Sequence, residues 1–233
     1  MRKSLQLNLV VVFAALHAAL YVVSPGFDWR NWGIYIEAIE GIILGPSMGL
    51  LAAFLGSSIA RMIKPDVFWM FGIVAEPLSV FMVGLLSRGR WKPVLAVYAM
   101  MLLAYFAHPF GRALPIWTIL DILVALALIY PTARFSGELF KTNVRRLSVV
   151  SVLASFVCVA TDSLVRVFLL VPCGLYSLFD FFGSFDMLQG AFIAGAALSY
   201  VEDLRVVVVA FLVGVPLLLT VLKFGIVSKN QPD

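Results

Sequence analysis

Six ionisable side chains fall inside apolar stretches of this chain: Glu37, Glu40, Glu76, Asp121, Asp162 and Arg166. A charge placed in hydrocarbon costs at least about 2.5–3.5 kcal/mol, so such residues turn inward, pair, or meet a polar ligand. Asp162 and Arg166 are four apart and share one helix face, which serves a local ion pair or a binding site. Glu37 and Glu40 also share a face. Glu76 precedes Pro77, whose ring removes the amide that would bond a carbonyl one turn back and opens the helix beside a carboxylate. Arg61, His108 and Arg112 stand at the ends of neighbouring apolar runs. Polar groups brought to one depth by separate helices are what a pocket for a small polar molecule requires. On this pattern, Glu76→Gln should remove a ligand response and leave the unliganded fold nearly as stable as before.

Other chemistry is scarce. The two histidines, His17 and His108, are far apart, and neither a His-Glu-x-x-His nor a CxxC pattern occurs. No nucleophile stands beside a base, so no catalytic residue, metal site or cofactor is expected, and the chain does not read as an enzyme. The Gly-x-x-x-x-Gly-Lys-Ser/Thr phosphate loop is missing, so any use of ATP requires a separate subunit. Cys158 and Cys173 lie in or beside apolar runs and read as packing residues.

The elements that position these residues follow from composition. Of 233 residues, 62% are hydrophobic and 13% charged, about half the charged share of a soluble domain. At roughly 20 residues per crossing, the chain has room for an all-α integral membrane protein: a polytopic helical bundle of about seven to nine apolar segments in one transmembrane domain, 1–233. The net charge of +4 comes from short basic clusters between apolar runs, which fits membrane topology and not nucleic acid. Arg2 and Lys3 before the first run could begin a cleaved signal peptide. The run continues to Val23 and meets Ser-Pro-Gly, so a retained span is expected.

Apolar runs fall at about 5–23, 34–62, 67–87, 93–110, 115–133, 147–171, 186–201 and 206–226. The run 34–62 either crosses once or folds into a hairpin at Gly45-Pro46. With the N-terminus cytoplasmic, the hairpin keeps Arg88, Arg90, Lys92, Arg134, Lys141, Arg145 and Arg146 on the inside, whereas a single crossing moves these loops outside. The positive-inside rule selects the hairpin. This topology gives nine segments and an external C-terminus, a placement that Lys223 and Lys229 fit poorly. It puts Glu37, Arg61, Glu76, His108, Arg112, Asp121 and Arg166 in the outer half of the membrane. Trp32 and Tyr35, where the first outer loop (24–33) meets the next run, join them as candidate substrate contacts. The aromatic loops 24–33 and 172–186 serve as interfacial anchors or as a lid over a ligand.

Small residues complete the pattern. Ala14, Ala15, Ala18 and Ala19 give two overlapping Ala-x-x-x-Ala spacings, and Gly41, Gly45 and Gly49 form a ladder in the hairpin. Such faces allow close helix approach, within the protein by default or against a partner. The first helix with Ala14-x-x-x-Ala18, the hairpin Leu44-Gly-Pro-Ser-Met-Gly-Leu and the following Gly56 together resemble the substrate-binding S components of energy-coupling factor (ECF) vitamin transporters. The resemblance spans roughly residues 5–90. It implies that the alanine face docks a coupling transmembrane subunit driven by two ABC-type ATPases. It also implies that a vitamin or similar small molecule is captured from outside, under loops after the first and third helices, at the plasma membrane. Two other readings stand beside it: an integral-membrane enzyme acting on a lipid or amphiphile, and a stand-alone ion-coupled carrier using Asp162 and Arg166.

Overall fold

The computed structural model describes residues 3–25, 30–178 and 184–227, and every regular element among them is helical. In chain order these are α1 (Lys3–Val23), α2 (Ile34–Leu44), α3 (Pro46–Ile63), α4 (Trp69–Ser87), α5 (Trp91–Ala107), the short α6 (Pro109–Ala113), α7 (Leu120–Phe135), α8 (Val144–Leu170), α9 (Phe185–Val209) and α10 (Val215–Lys223). Among the described residues, six helical stretches are long and apolar enough to cross a membrane. The chain is a multi-pass helical membrane protein.

Gly45 and Pro46 form the expected hairpin tip. Gly45 adopts φ 82°, which L side chains avoid, and Pro46 opens α3 at a first-turn position where its missing amide costs nothing. The tip lies beside the Arg88 guanidinium, which also donates to the Ile42 carbonyl at 3.2 Å. Arg88 packs over the Phe140 ring, and Gly89 lies beside Ser136. The hairpin tip and both strongly basic loops therefore share one end of the bundle. Glycines let the hairpin seat closely against α4. A Cβ on Gly41 would fall 2.5 Å from the Val80 carbonyl oxygen, and one on Gly84 would fall 2.7 Å from the Pro46 backbone.

The last two apolar runs differ from expectation. Residues 186–201 and 206–226 are not separate crossings: α9 continues through a π turn (Ala210–Gly214) into α10 as one rod, Phe185–Lys223. No turn-forming Gly-Pro or Asn-Gly pair interrupts the sequence there, so the backbone has no reason to reverse. Val227 packs with Leu139, Leu147 and Leu218. This places the described C-terminal end with the basic loops, where Lys223 fits.

The most enclosed of the six stretches is α8, buried on most of its surface. One apolar core surrounds it with α4, α5, α7 and the start of α9, and a second joins it to α1, α2 and α10. Between these cores lies a polar layer.

Candidate functional site: a buried arginine floor beneath a cavity

Helix α2 has 11 residues, roughly 16 Å at 1.5 Å per residue, against about 30 Å of hydrocarbon. Starting from the basic end, it stops about halfway through. Residues 30–33, which lead into it, therefore lie within the bundle and carry Arg30 inward. Arg30 is 5% exposed. Its Nε lies 3.1 Å from Asp162 of α8, its Nη1 3.0 Å from Asp203 and 3.5 Å from Glu202 of α9. Its Nη2 donates to Ser199 at 2.7 Å and to Ser163, and its backbone amide donates to Glu202 at 3.1 Å. A buried guanidinium surrounded by carboxylates and hydroxyls retains its charge without water.

Glu76 is the centre of a second, adjoining network. Arg61 of α3 grips it with Nη2 at 2.6 Å from Oε1 and Nη1 at 3.2 Å from Oε2, a forked pair. Asn31 donates to Oε1 at 2.7 Å, Ser57 donates to Oε2, and His17 Nε2 lies 3.1 Å from Oε2. The other imidazole nitrogen, Nδ1, faces Glu40 at 3.4 Å. Gly72 makes the space: a Cβ there would sit 1.6 Å from Arg61 Nη2 and 2.5 Å from Glu76 Oε1. Helix α4 runs unbroken through Pro77, so Glu76 is held by side chains and not by an opened backbone.

Arg166 links the two networks. Its Nε donates to Asp162 at 2.6 Å, and its Nη2 lies 3.7 Å from Glu76 Oε1. Asp162 thus serves both Arg30 and Arg166, so the local i,i+4 pair is also part of a larger site. Deeper in the bundle, Glu37 accepts from Ser79 at 2.6 Å. One oxygen each of Glu37, Glu40 and Asp203 has no hydrogen-bond donor among the described residues.

Above these networks is a cavity of about 560 Å³. Its floor includes Arg30, Asn31, Arg61, Asp121, Ser163 and Arg166, and its apolar wall includes Phe68, Phe71, Val167, Leu170 and Phe192. Lys64, Pro65, Asp66 and Ser24 stand at the end opposite the basic loops. Lys64 Nζ donates there to the Ser24 carbonyl at 2.7 Å. The volume lies within the range of ligand pockets, about 300–1,000 Å³, and apolar walls with a few convergent polar groups are their usual lining.

The residues expected from sequence separate into three groups. Arg61, Asp121 and Arg166 line the cavity. Glu76 and Glu37 are buried behind it, Glu76 holding Arg61 in place. The remaining four stand elsewhere. The His108 ring accepts from the Phe110 amide at the start of α6 and packs against Phe110 and Tyr176, and Arg112 is exposed. Trp32 and Tyr35 flank a separate shallow groove against Leu204, Arg205 and Val208 of α9. Sequence reasoning missed Arg30, Asn31, Ser57, Glu202 and Asp203. A basic residue in a loop looks solvated, and only the shortness of α2 hints that this loop enters the bundle. The Glu202-Asp203 pair between the last two apolar runs was a signal available in the sequence.

The alanine pair faces two ways. Ala14 and Ala18 are buried, and a Cβ on Gly56 would approach the Ala14 carbonyl oxygen to 2.7 Å. They belong to the α1–α3 contact and are not available to a partner. Ala15 and Ala19 face outward beside the exposed Val11, Val12 and Leu16. Of the loops 24–33 and 172–186 expected as a lid, residues 26–29 and 179–183 lie outside the described residues.

No family model and no solved structure matches this chain. An uncharacterized protein of Methanocaldococcus jannaschii is 28% identical over 131 residues, covering 55% of this chain and 44% of that protein. The chain therefore spans under half the length of this relative.

Proposed function

We propose that this chain is the membrane-embedded substrate-capture subunit of an ECF-type uptake transporter for a vitamin or similar small molecule. Separate ABC-type ATPases would drive transport through a coupling transmembrane subunit. The observation that carries this reading is the cavity: a ligand-sized space inside a lipid-embedded bundle, floored by charged side chains from the α1–α2 connection, α3, α7 and α8. Its mouth lies opposite the basic loops, which the positive-inside rule assigns to the cytoplasm, so capture is from outside and the N-terminus is cytoplasmic at the plasma membrane. The Ala15/Ala19 face of α1 is the surface offered to the coupling subunit. Affinity purification from native membranes tests the reading. An ABC-type ATPase should co-purify, and uptake by the isolated chain in liposomes should be absent.

A stand-alone ion-coupled carrier is the second reading. It is favoured by the buried His17–Glu40 pair and Glu37: each carboxylate has one oxygen without a hydrogen-bond donor among the described residues, open to exchange with a proton or small cation. Uptake by the purified chain alone, driven by an ion gradient, would support it against the first.

A further inference from the structure

The chemistry of the cavity floor narrows what it can hold, given the capture reading above. The floor presents hydrogen-bond donors: the guanidiniums of Arg30, Arg61 and Arg166 and the Asn31 amide. The carboxylates that hold those guanidiniums (Glu76, Asp162, Glu202 and Asp203) do not line the cavity and stand behind the floor. Arg30 and Arg61 are closely engaged by them. Arg166 is not: its hydrogen bond to Asp162 uses Nε alone, Nη2 is beyond hydrogen-bond range of Glu76, and its side chain is 17% exposed. Arg166 lines the cavity, and the two terminal nitrogens of its planar guanidinium match the two oxygens of a carboxylate.

Charge sets the upper limit. Each of the three arginines already faces at least one carboxylate, and Asp121 and Asp66 also line the space. The floor is thus rich in donors but has no surplus of positive charge. A diphosphate or other polyanion would meet nearby carboxylates with little to balance it, while a single carboxylate adds one charge where donors converge. A lone cation would meet three guanidiniums and the Lys64 ammonium, against the carboxylates of Asp121 and Asp66. The rest of the ligand must cover Phe68, Phe71, Val167, Leu170 and Phe192, which favours an apolar or aromatic body.

We propose that the cavity binds an organic monocarboxylate with an apolar or aromatic body, its carboxylate seated on Arg166 beside Arg61 and Asn31. The test is native mass spectrometry of the detergent-purified chain, followed by solvent extraction of the co-purifying compound and its esterification. One methyl ester should form, and no phosphate should be present. Arg166→Gln should retain at least about tenfold less of the compound, the loss of a charge-assisted pair. Ala191→Trp adds bulk to the cavity lining at a residue that is part of none of the ion pairs and should lose it as well. Arg134→Gln, in the basic loop region at the other end, should retain it. A compound lost from both cavity variants that carries no carboxyl, or that carries several acidic groups, overturns the monocarboxylate assignment and leaves the capture reading standing. No co-purifying compound in the unmodified chain, or equal retention by Ala191→Trp, overturns the capture reading itself.

Discussion

Glu76→Gln separates a positioning carboxylate from a direct ligand contact. Both Glu76 oxygens accept hydrogen bonds: Oε1 from Arg61 Nη2 at 2.6 Å and Asn31 at 2.7 Å, Oε2 from Ser57 and from Arg61 Nη1 at 3.2 Å. An amide has only one acceptor oxygen. Placed at the Oε1 position, its NH2 group meets two donors. Placed at Oε2, it meets Arg61 Nη1, although the Ser57 hydroxyl and His17 can turn to accept. Either way Arg61, 8% exposed, loses its counter-charge. Removing one partner of a buried ion pair costs about 3–5 kcal/mol. At about 2–4 °C per kcal/mol for a chain of this size, the melting temperature should fall by roughly 6–20 °C. This reverses the sequence-based expectation of a nearly unchanged unliganded fold. A thiol-reactive dye monitors the transition, since Cys158 is buried and becomes reactive on unfolding. The double variant Arg61→Met, Glu76→Met replaces the pair with apolar side chains of similar length and should recover most of the loss. A Glu76→Gln protein that melts within about 2 °C of the parent would show that Arg61 does not depend on Glu76, and the network reasoning would fail.

Gly72→Ala places a methyl where the Arg61 guanidinium lies and should destabilise by about 1–3 kcal/mol through overpacking; an unchanged melting curve would mean that Arg61 rests elsewhere. Ala14→Leu intrudes on the close α1–α3 approach at Gly56 and should cost stability in the isolated protein, whereas Ala15→Leu on the outer face should leave it unchanged and impair only assembly with a coupling subunit. Thermal melts and co-purification of the two variants check both halves, and equal melting of Ala14→Leu with the parent would contradict the packing. An impermeant maleimide should label Cys173 in intact cells, while Cys158 stays unreacted. Partial burial pushes the Cys173 thiol up, so less of it is thiolate at neutral pH and labelling should accelerate as pH rises; labelling only after the cells are opened would invert the topology.

The membrane class, the helical character of each apolar run and the hairpin were legible because each depends on local chemistry, whereas the joining of the last two runs into one rod was not. A run of apolar residues must be helical in lipid whatever its neighbours are, and a Gly-Pro pair breaks such a run, with the basic loops on either side selecting a reversal over a kink. The alternation of basic loops likewise needed no tertiary information to place 88–92 with 134–146. Local patterns also mark which residues are costly to bury: Arg61, Asp121 and Arg166 line the cavity, and Glu76 lies buried behind it on Arg61. What they cannot specify is partnership. Arg30 meets Glu202 and Asp203 across more than 170 positions of sequence, and nothing near Arg30 in the chain distinguishes it from a solvated loop residue. His108 and Arg112 sit at the expected end of the bundle, yet α6 turns them away from the cavity. Ala14 and Ala15 are adjacent, but 100° of helical rotation buries one against Gly56 and exposes the other. These outcomes depend on which helix faces meet, and that is decided by the packing of the whole bundle, because the desolvation of a charge is offset only by the groups that surround it in three dimensions.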